Sequence, residues 1–500
     1  MIVLGKHHRN VMKAKRILLI APPITRPPDM LADKVRIPIV APLGLAYIAA
    51  VLEQQGYEVK IVDCIAEGQL QGIPYGNYGE WRYGLNDERI VKVIEDFNPE
   101  LIGVSCLFSN QAYDAHNICR IAKMINLGII TVMGGAHPTA LPEETLKDRN
   151  IDYIVIGEGE ITLPWLLKLI ERGHNYQAGV QWGIVDNLDS LPFPACHLLN
   201  MPKYLYSESP HSGLKRTPMA TIITSRGCPG NCEFCAIRCL WGDAYRVRSP
   251  ENVLMEIQHL VDKYHIKELH FEDDNLTANK NRAMAIFQGI IDRKLDLTLN
   301  SPSGLAVFAL DEELLDKMKE AGYYSISLAV ESAVPEVLKL MRKQVDLVKA
   351  KRLSRYARSL GMKTKVFFIL GYPGETKETM KCTVDFAGNL GADWCLFFPA
   401  TNLPGTDMDK RVRENGWLVD PNMDYRYYFY KPNIRTPEFD PDFVIRLREE
   451  ANRQINFENN INMREGNYER AAEDFGEVVR LYPHLDYAKE ALKEAKHELS

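Results

Sequence analysis

Short apolar runs alternate with helical patterns twice along this chain, and that alternation restricts it to α/β architectures built on parallel strands. In the first block, buried strands are read at residues 16–21 (RILLIA), 57–63 (YEVKIVD), 101–106 (LIGVSC), 129–133 (IITVM) and 153–156 (YIVI). Helical patterns lie between them at 43–54, 87–96, 112–124 and 142–147, and another follows at 162–171. Five strands with helical crossovers predict a doubly wound parallel sheet, whose ligand crevice lies at the strands' C-terminal ends. The stretches just past those ends read APPITRPP, SCLFSN, GGAHPT and GEGE, loops whose glycines admit a close ligand.

Periodicity fades over residues 186–218, where Pro192, Pro194, Pro202 and Pro210 collect, and this stretch reads as a linker. Alternation resumes with strands at 221–225, 268–273, 296–301, 325–330, 365–370 and 395–399. Six strands with intervening helices predict a partial barrel with its active site at the strands' C-terminal mouth. From residue 408 onward the pattern changes. Tyr425, Tyr427, Tyr428, Phe429 and Tyr430 form an aromatic-dense stretch, suited to core packing or to an apolar pocket, and the last forty residues are helical with mixed charge. Gly466, Tyr468, Ala471, Phe475 and Pro483 resemble one tetratricopeptide helix pair. A solenoid needs about three such repeats, so a capping helical element is expected. The expected organisation is therefore an α/β domain at 1–185, a linker at 186–218, a partial barrel at 219–407 and a helical region at 408–500.

Composition excludes several classes. Net charge is −6 with the signs interspersed, which leaves no basic stripe for nucleic acid. The basic start, MIVLGKHHRNVMKAKR, lacks the apolar run and cleavage site of a secretory signal. Residues 37–52 carry no charge, yet they fall short of the roughly 18 residues a membrane span needs, and Pro38 and Pro42 interrupt them. A loop feeding a buried helix is expected there, with no membrane span. Ten cysteines without an export signal point to a reducing, cytoplasmic compartment, where a tight cysteine cluster means metal rather than disulfides.

That cluster is SRGCPGNCEFC, residues 225–235, with Cys228, Cys232 and Cys235 directly after a strand. Zinc sites usually pair two C-x-x-C knuckles, and here only Cys239 stands nearby as a fourth thiol, with no histidine inside the cluster. A thiolate tripod suits a 4Fe-4S cluster with one iron left open, and Gly227, Pro229 and Gly230 allow the tight wrap. Cys239 is expected to be a packed or exposed thiol.

C-x-x-x-C-x-x-C after the first strand of a partial barrel resembles the radical S-adenosylmethionine (SAM) superfamily. The resemblance implies that the open iron is chelated by SAM, whose reductive cleavage yields a 5′-deoxyadenosyl radical, with electrons from a flavodoxin- or ferredoxin-type donor. Phe234 holds the aromatic place before the third cysteine. FEDDN (271–275) ends the second barrel strand, where the family contacts the SAM amino group, so Asp273 or Asp274 is expected to accept its hydrogen bonds, with Asn275 and Thr277 as helix caps in the structural alternative. Glu331, in AVES, is similar in place to a ribose contact, and ILGYPGE (369–375), with Gly371 and Pro373, resembles the adenine-side motif.

The first block is similar to the cobalamin-binding domain that precedes such barrels. The likeness rests on PLGLAYIAAVLEQQGYEVKIVD (42–63), GGAHPT (134–139), IGEGE (156–160) and LPFPA (191–195). It implies cobalamin contacts from Pro42, Leu43, Gly44, Ser105, Gly134, Gly135, Gly157, Glu158 and Gly159. Where cobalamin domains with a lower axial histidine carry D-x-H-x-x-G, this chain reads PPITRPPD. Base-off cobalamin without a protein histidine is therefore expected, with His137 a loop histidine. The resemblance implies a cobalamin-dependent radical SAM enzyme methylating an unactivated carbon of a small-molecule or lipid substrate. Alternatives are an oxidative cyclase like the anaerobic magnesium-protoporphyrin monomethyl ester cyclase, and a non-catalytic cobalamin- or SAM-binding module. A methylthiotransferase would need an auxiliary cluster at Cys64, Cys106 and Cys119, which are read instead as buried apolar residues.

Overall fold

The computed structural model describes residues 2–3, 15–28, 30, 39–76, 78–172, 179–180, 182–207, 214–428 and 430–500. Ile37, Pro38, Pro210, Phe429 and most of the basic N-terminal stretch lie outside the described residues.

The first block is an α/β layer structure with one strand more than expected. Strands β1 (Arg16–Ala21), β2 (Glu58–Asp63), β3 (Leu101–Ser105), β4 (Ile130–Gly134), β5 (Tyr153–Gly157) and β6 (Trp182–Gly183) form a parallel sheet in the order β6-β5-β4-β3-β1-β2. Ile17 and Leu19 pack under the helices Leu43–Gln54 and Gly159–Glu171, while Leu18 and Ile20 pack under Asp87–Phe97 and Ala112–Ile125. Covering both faces is why β1 reads as a continuous apolar run rather than an alternating one. The strand order reverses at β1, which places the crevice past the C-terminal ends of β1 and β3. β6 escapes a sequence reading because two residues carry no periodicity.

A second difference lies directly past β1. The stretch read as a ligand loop enters a small antiparallel sheet, Ile24–Arg26 beside Glu80–Gly84 beside Gln69–Tyr75. It is pinned to the helix Ala112–Ile125: Thr25 donates its N–H and Oγ1–H to Asp114 at 2.7 and 2.6 Å. Arg82, with no exposed side-chain surface, stands 3.2 Å from the same carboxylate.

The second block holds all six expected strands. One arc is β7 (Met219–Ile222), β8 (Glu268–Phe271) and β9 (Thr298–Asn300). The other comprises Leu305–Ala306 with β10 (Ser325–Glu331), β11 (Lys363–Leu370) and β12 (Trp394–Pro399). A parallel bridge between Leu299 and Tyr323 joins the arcs. On β11, Val366, Phe368 and Leu370 are wholly buried against helices, and Lys363, Lys365, Phe367 and Ile369 line the less buried opposite face.

The proline-rich stretch at 186–218 is not a free connector. Cys196, Met201, Tyr204 and Leu205 belong to the barrel's core, and Tyr204 Oη–H donates 3.0 Å to Asp63 at the end of β2. At the C-terminal end the helices Tyr468–Leu481 and Asp486–Glu498 bury Ala471, Phe475, Ala488, Ala491 and Ala495, with Trp394 of β12 packed against them. Lys363 of β11 pairs with Asp474, so this single helix pair caps the base of the barrel. Among the described residues, no helix is long and apolar enough to cross a membrane.

The two sheets are joined mouth to mouth by buried charge. Arg226, just past β7, lies 3.0 Å from Glu158 and 2.5 Å from Glu160, both just past β5. Arg246 pairs with the other oxygen of Glu158 and donates 2.7 Å to the carbonyl of Val185. These four side chains are 9% exposed or less. Removing one member of such a set leaves a desolvated charge unpaired, which costs about 3–5 kcal/mol. Glu158→Ala, which strands Arg226 and Arg246, is therefore expected to destabilise the chain by about that amount in chemical denaturation, with Glu160→Ala, which removes one contact, costing less.

Candidate active site

The cysteine loop follows β7 and faces the barrel mouth. A Cβ built on Gly230 would lie 3.4 Å from Cys228 Sγ and 3.9 Å from Cys232 Sγ, so a side chain there would crowd the concavity that the two sulfurs border. Gly230 N–H donates to Cys228 Sγ at 3.4 Å, and Asn275 Nδ2–H donates to the same sulfur at 3.5 Å. Burial pushes the Cys235 thiol up to about 12 and raises that of Cys232, so metal must displace their protons. Cys239 points elsewhere: its Sγ–H donates to the carbonyl of Gly405 at 2.9 Å.

Support for the loop comes from far along the chain. Arg411, in the helix Asp407–Glu414, makes a two-pronged contact with Glu233, Nε to Oε1 at 2.9 Å and Nη2 to Oε2 at 2.8 Å. It also donates 3.1 Å to the carbonyl of Pro373, and Tyr372 donates its hydroxyl to Glu233. Phe234 packs edge-on against Tyr372, ring centroids 6.3 Å apart. The loop between the second and third cysteines is thereby tied to the GYPGE motif past β11. Sequence reading missed Glu233 and Arg411, because 178 residues separate them and no local pattern marks the pair.

The aspartates past β8 serve the fold rather than standing free. Asp273 Oδ1 accepts the N–H of Thr224 at 2.7 Å, and Oδ2 accepts the hydroxyls of Thr224 and Ser225 at 2.6 and 2.5 Å. Asp274 accepts the N–H of Gly227 at 3.0 Å and a hydrogen bond from Trp241, and burial lifts it to about 6. Both anchor the end of the strand that carries the cysteines, and Asp274 stays half-buried at the mouth. Glu331 adopts φ +70°, a backbone conformation rare for a residue with a side chain, at the bulge where β10 and β11 shift register. Its Oε1 takes Lys343 Nζ at 3.1 Å. Burial works against the charge of Lys343, but Glu331 and the neighbouring Cys232 hold its pKa above the ordinary lysine value. Lys343 is a third residue on the cysteine-loop side without a sequence signal.

Across the clasp lies the crevice of the first sheet. Gly44 is exposed, with open space where a Cβ would stand, and Pro42 and Leu43 precede it at the helix start. Ser105, Gly134 and Gly157 end their strands, and Gly135 adopts φ +111° at a place where a Cβ would sit 2.5 Å from the Cys106 carbonyl oxygen, so only glycine fits. Leu107 and Phe108, past β3, are 48% and 54% exposed. Two expected contacts turn out to be structural. The Glu158 carboxylate is occupied by the clasp, and a Cβ on Gly159 would stand 2.5 Å from Ile48 Cδ1, so this glycine serves helix packing. His137 is buried, Nδ1 lies 3.0 Å from Ser109 Oγ, and Tyr425 packs edge-on at 5.4 Å. Burial lowers its pKa to about 4.

The cobalamin-binding (B12 binding domain) family model matches residues 36–167, and the radical SAM superfamily model matches residues 222–387. A cytidylyl-2-hydroxyethylphosphonate methyltransferase from Streptomyces wedmorensis is 35% identical, over 83% of this chain and 86% of that protein. The chain belongs to the cobalamin-dependent radical SAM family. The anaerobic magnesium-protoporphyrin IX monomethyl ester cyclase of Rubrivivax gelatinosus is 26% identical over 81% of this chain and 71% of its own. Among solved structures, the cobalamin-dependent SAM radical enzyme OxsB, with aqua-cobalamin and SAM bound, shares the fold with a TM-score of 0.70 at 16% identity, covering 96% of this chain and 72% of that one.

The cofactors of this cobalamin-dependent radical SAM protein are a 4Fe-4S cluster, SAM and cobalamin. The residues present fit them. Cys228, Cys232 and Cys235 share one loop past β7, thiolates are the donors that hold iron–sulfur clusters, and the Cβ of a side chain at Gly230 would lie 3.4 and 3.9 Å from the sulfurs of Cys228 and Cys232. Cys64, Cys106 and Cys119 have no exposed surface, as expected of apolar core residues.

A titration tests the GYPGE end of the site. Burial pushes Glu375 from 4.5 up to about 8; Oε2 accepts the Tyr372 N–H at 2.8 Å and Oε1 has no partner. A carboxyl with a raised folded pKa holds a proton that the unfolded chain releases, so stability falls as pH rises through that window. Glu375→Gln cannot ionise. Denaturation at intervals from pH 5 to 9 is expected to show the wild type losing more stability than the variant, with the two curves parallel outside the window.

Proposed function

We propose that this chain methylates an unactivated carbon of a small-molecule or lipid substrate held between the cysteine loop and the glycine-lined crevice. The observation that carries this reading is the opposition of the two mouths: Arg226, two residues before Cys228, pairs with Glu158, directly past β5. A substrate between them borders both cofactor sites. When bound, the cluster with SAM supplies a 5′-deoxyadenosyl radical, and cobalamin supplies a transferable methyl group.

The chain's own contribution is positional. Cys228, Cys232 and Cys235 would hold the cluster, and Lys343 sets a cation beside them. Phe234, Glu331, Gly371 and Pro373 border the SAM side. Pro42, Leu43, Gly44, Ser105, Gly134, Gly135 and Gly157 border the corrinoid, with Leu107 and Phe108 as its apolar floor. Phe367 and Phe398, ring centroids 5.8 Å apart, offer an apolar wall at the less buried face of β11 and β12, where Phe398 is 50% exposed. The segment around Tyr425 closes one side, Tyr425 reaching Glu144 at 3.3 Å and Arg426 reaching Glu80 at 2.5 Å. That contact role extends the expectation of core packing, which holds for Tyr428 at 3% exposure. A flavodoxin- or ferredoxin-type protein is the electron donor in this reading. All ten cysteines are unpaired, which suits a reducing cytoplasm.

Replacing Cys228, Cys232 or Cys235 by Ala is expected to remove bound iron and SAM cleavage, whereas Cys239→Ala keeps both, by iron assay and chromatography of 5′-deoxyadenosine. Loss of iron in Cys239→Ala would reverse the ligand assignment.

Similarity to a cytidylyl-2-hydroxyethylphosphonate methyltransferase supports methyl transfer, and similarity to the protoporphyrin cyclase supports ring closure as the second reading. SAM with a deuterated methyl group, supplied to a cell extract containing the enzyme, separates them. Methyl transfer gives a product carrying the label, with 5′-deoxyadenosine and S-adenosylhomocysteine formed together. A product that loses hydrogens without gaining the label replaces the first reading with the second.

A further inference from the structure

Asn275 is read from the sequence as a helix cap, and the fold does not use it as one. The cap of the helix Lys280–Asp292 is Asn279, whose side chain accepts the Arg282 N–H at 3.1 Å. Asn275 turns instead toward the cysteine loop. It is 1% exposed, its Nδ2–H donates to Cys228 Sγ at 3.5 Å, and its Oδ1 has no partner. Its backbone carbonyl accepts the Tyr245 hydroxyl at 3.1 Å, which fixes the residue from behind. The two aspartates before it are both engaged with backbone and hydroxyl donors of the β7 end, so the side chain in FEDDN that reaches a cysteine sulfur is the amide.

We propose that Asn275 is a positioning residue of the iron–sulfur site, one that holds the Cys228 sulfur and raises the reduction potential of the cluster bound there. This rests on the reading of Cys228 as a cluster ligand. A metal-bound thiolate only accepts hydrogen bonds, and an amide offers it either an N–H or a lone pair. The N–H orientation is the attractive one, and it is the orientation the chain adopts. The Gly230 N–H reaches the same sulfur, so Cys228 is gripped by a backbone donor on its own loop and a side-chain donor from the β8 end. Hydrogen bonds to ligand sulfur draw electron density from the cluster and favour its reduced form.

The test uses the full chain, reconstituted anaerobically with iron and sulfide, in wild type, Asn275→Leu and Asn275→Asp. Leu has similar size without a donor, and Asp has the same shape without the N–H. Redox titration followed by electron paramagnetic resonance reads the potential and the line shape of the reduced cluster, and cobalamin binding reports that the fold is intact. The expected result is a shift of the midpoint to more negative potential with altered g-values, at wild-type iron content. Loss of iron in both variants with cobalamin binding retained also supports the proposal, since the neutral Leu and the anionic Asp have in common only the missing N–H donor. An unchanged potential and spectrum in either loaded variant overturns it. Wild-type protein that takes up no cluster, or one insensitive to Cys228→Ala, defeats the underlying reading of the cysteines instead.

Discussion

Everything at the candidate site depends on one buried set of charges, Arg226 and Arg246 against Glu158 and Glu160. Two parallel sheets each present a ligand mouth at their C-terminal ends, and nothing in either sheet alone says how those mouths face. A hydrophobic interface would tolerate sliding. Desolvated guanidinium and carboxylate groups do not, because each must find its partner at hydrogen-bond distance or bear the full cost of burial. The rings of Tyr47 and Trp241 flank Arg226 at 5.6 and 5.2 Å, which excludes water from the contact and narrows its geometry further.

A second set of ties closes the assembly from the other side. Tyr425 against His137 and Glu144, Arg426 against Glu80, and Arg26 against Tyr430 (3.1 Å) bind the C-terminal region back onto the first sheet. The helix Asp407–Glu414 then reaches the cysteine loop through Arg411 and Glu233. The part of the chain with the weakest sequence signal is thus in contact with both candidate cofactor sites. His137 is packed within this second set, neutral at physiological pH through burial, with one ring nitrogen beside Ser109.

Legibility in the sequence follows burial. Strands covered on both faces, such as β1 and β3, read directly as Ile, Leu and Val runs, and β11 in the barrel alternates buried and half-buried positions. The antiparallel sheet was illegible because one edge strand, Gln69–Tyr75, is half-exposed and polar, and the other, Ile24–Arg26, sits between prolines. The stretch at 186–218 reads as a linker for lack of periodicity, yet its described residues carry Met201 and Tyr204 into the core. The aspartates past β8 were legible as residues of the barrel mouth, but not as anchors of the β7 end. Their type and position were visible, but the hydroxyl and amide donors that occupy them come from Thr224, Ser225 and Gly227 on a different strand.

By itself the sequence determined the two sheets, the cysteine tripod after β7 and the family to which the chain belongs, because each rests on local spacing: a period of residues along a strand or helix, or three thiols within one loop. Only the tertiary structure decided which groups are free to meet a ligand. Glu158 and Asp273 are held by partners 27 to 88 residues away, Cys239 by a carbonyl 166 residues away, and Asn275 reaches back 47 residues to Cys228. Whether a carboxylate or an amide is engaged depends on which donors the folded chain brings within about 3 Å of it, and contacts over such separations leave no periodic trace in the order of residues.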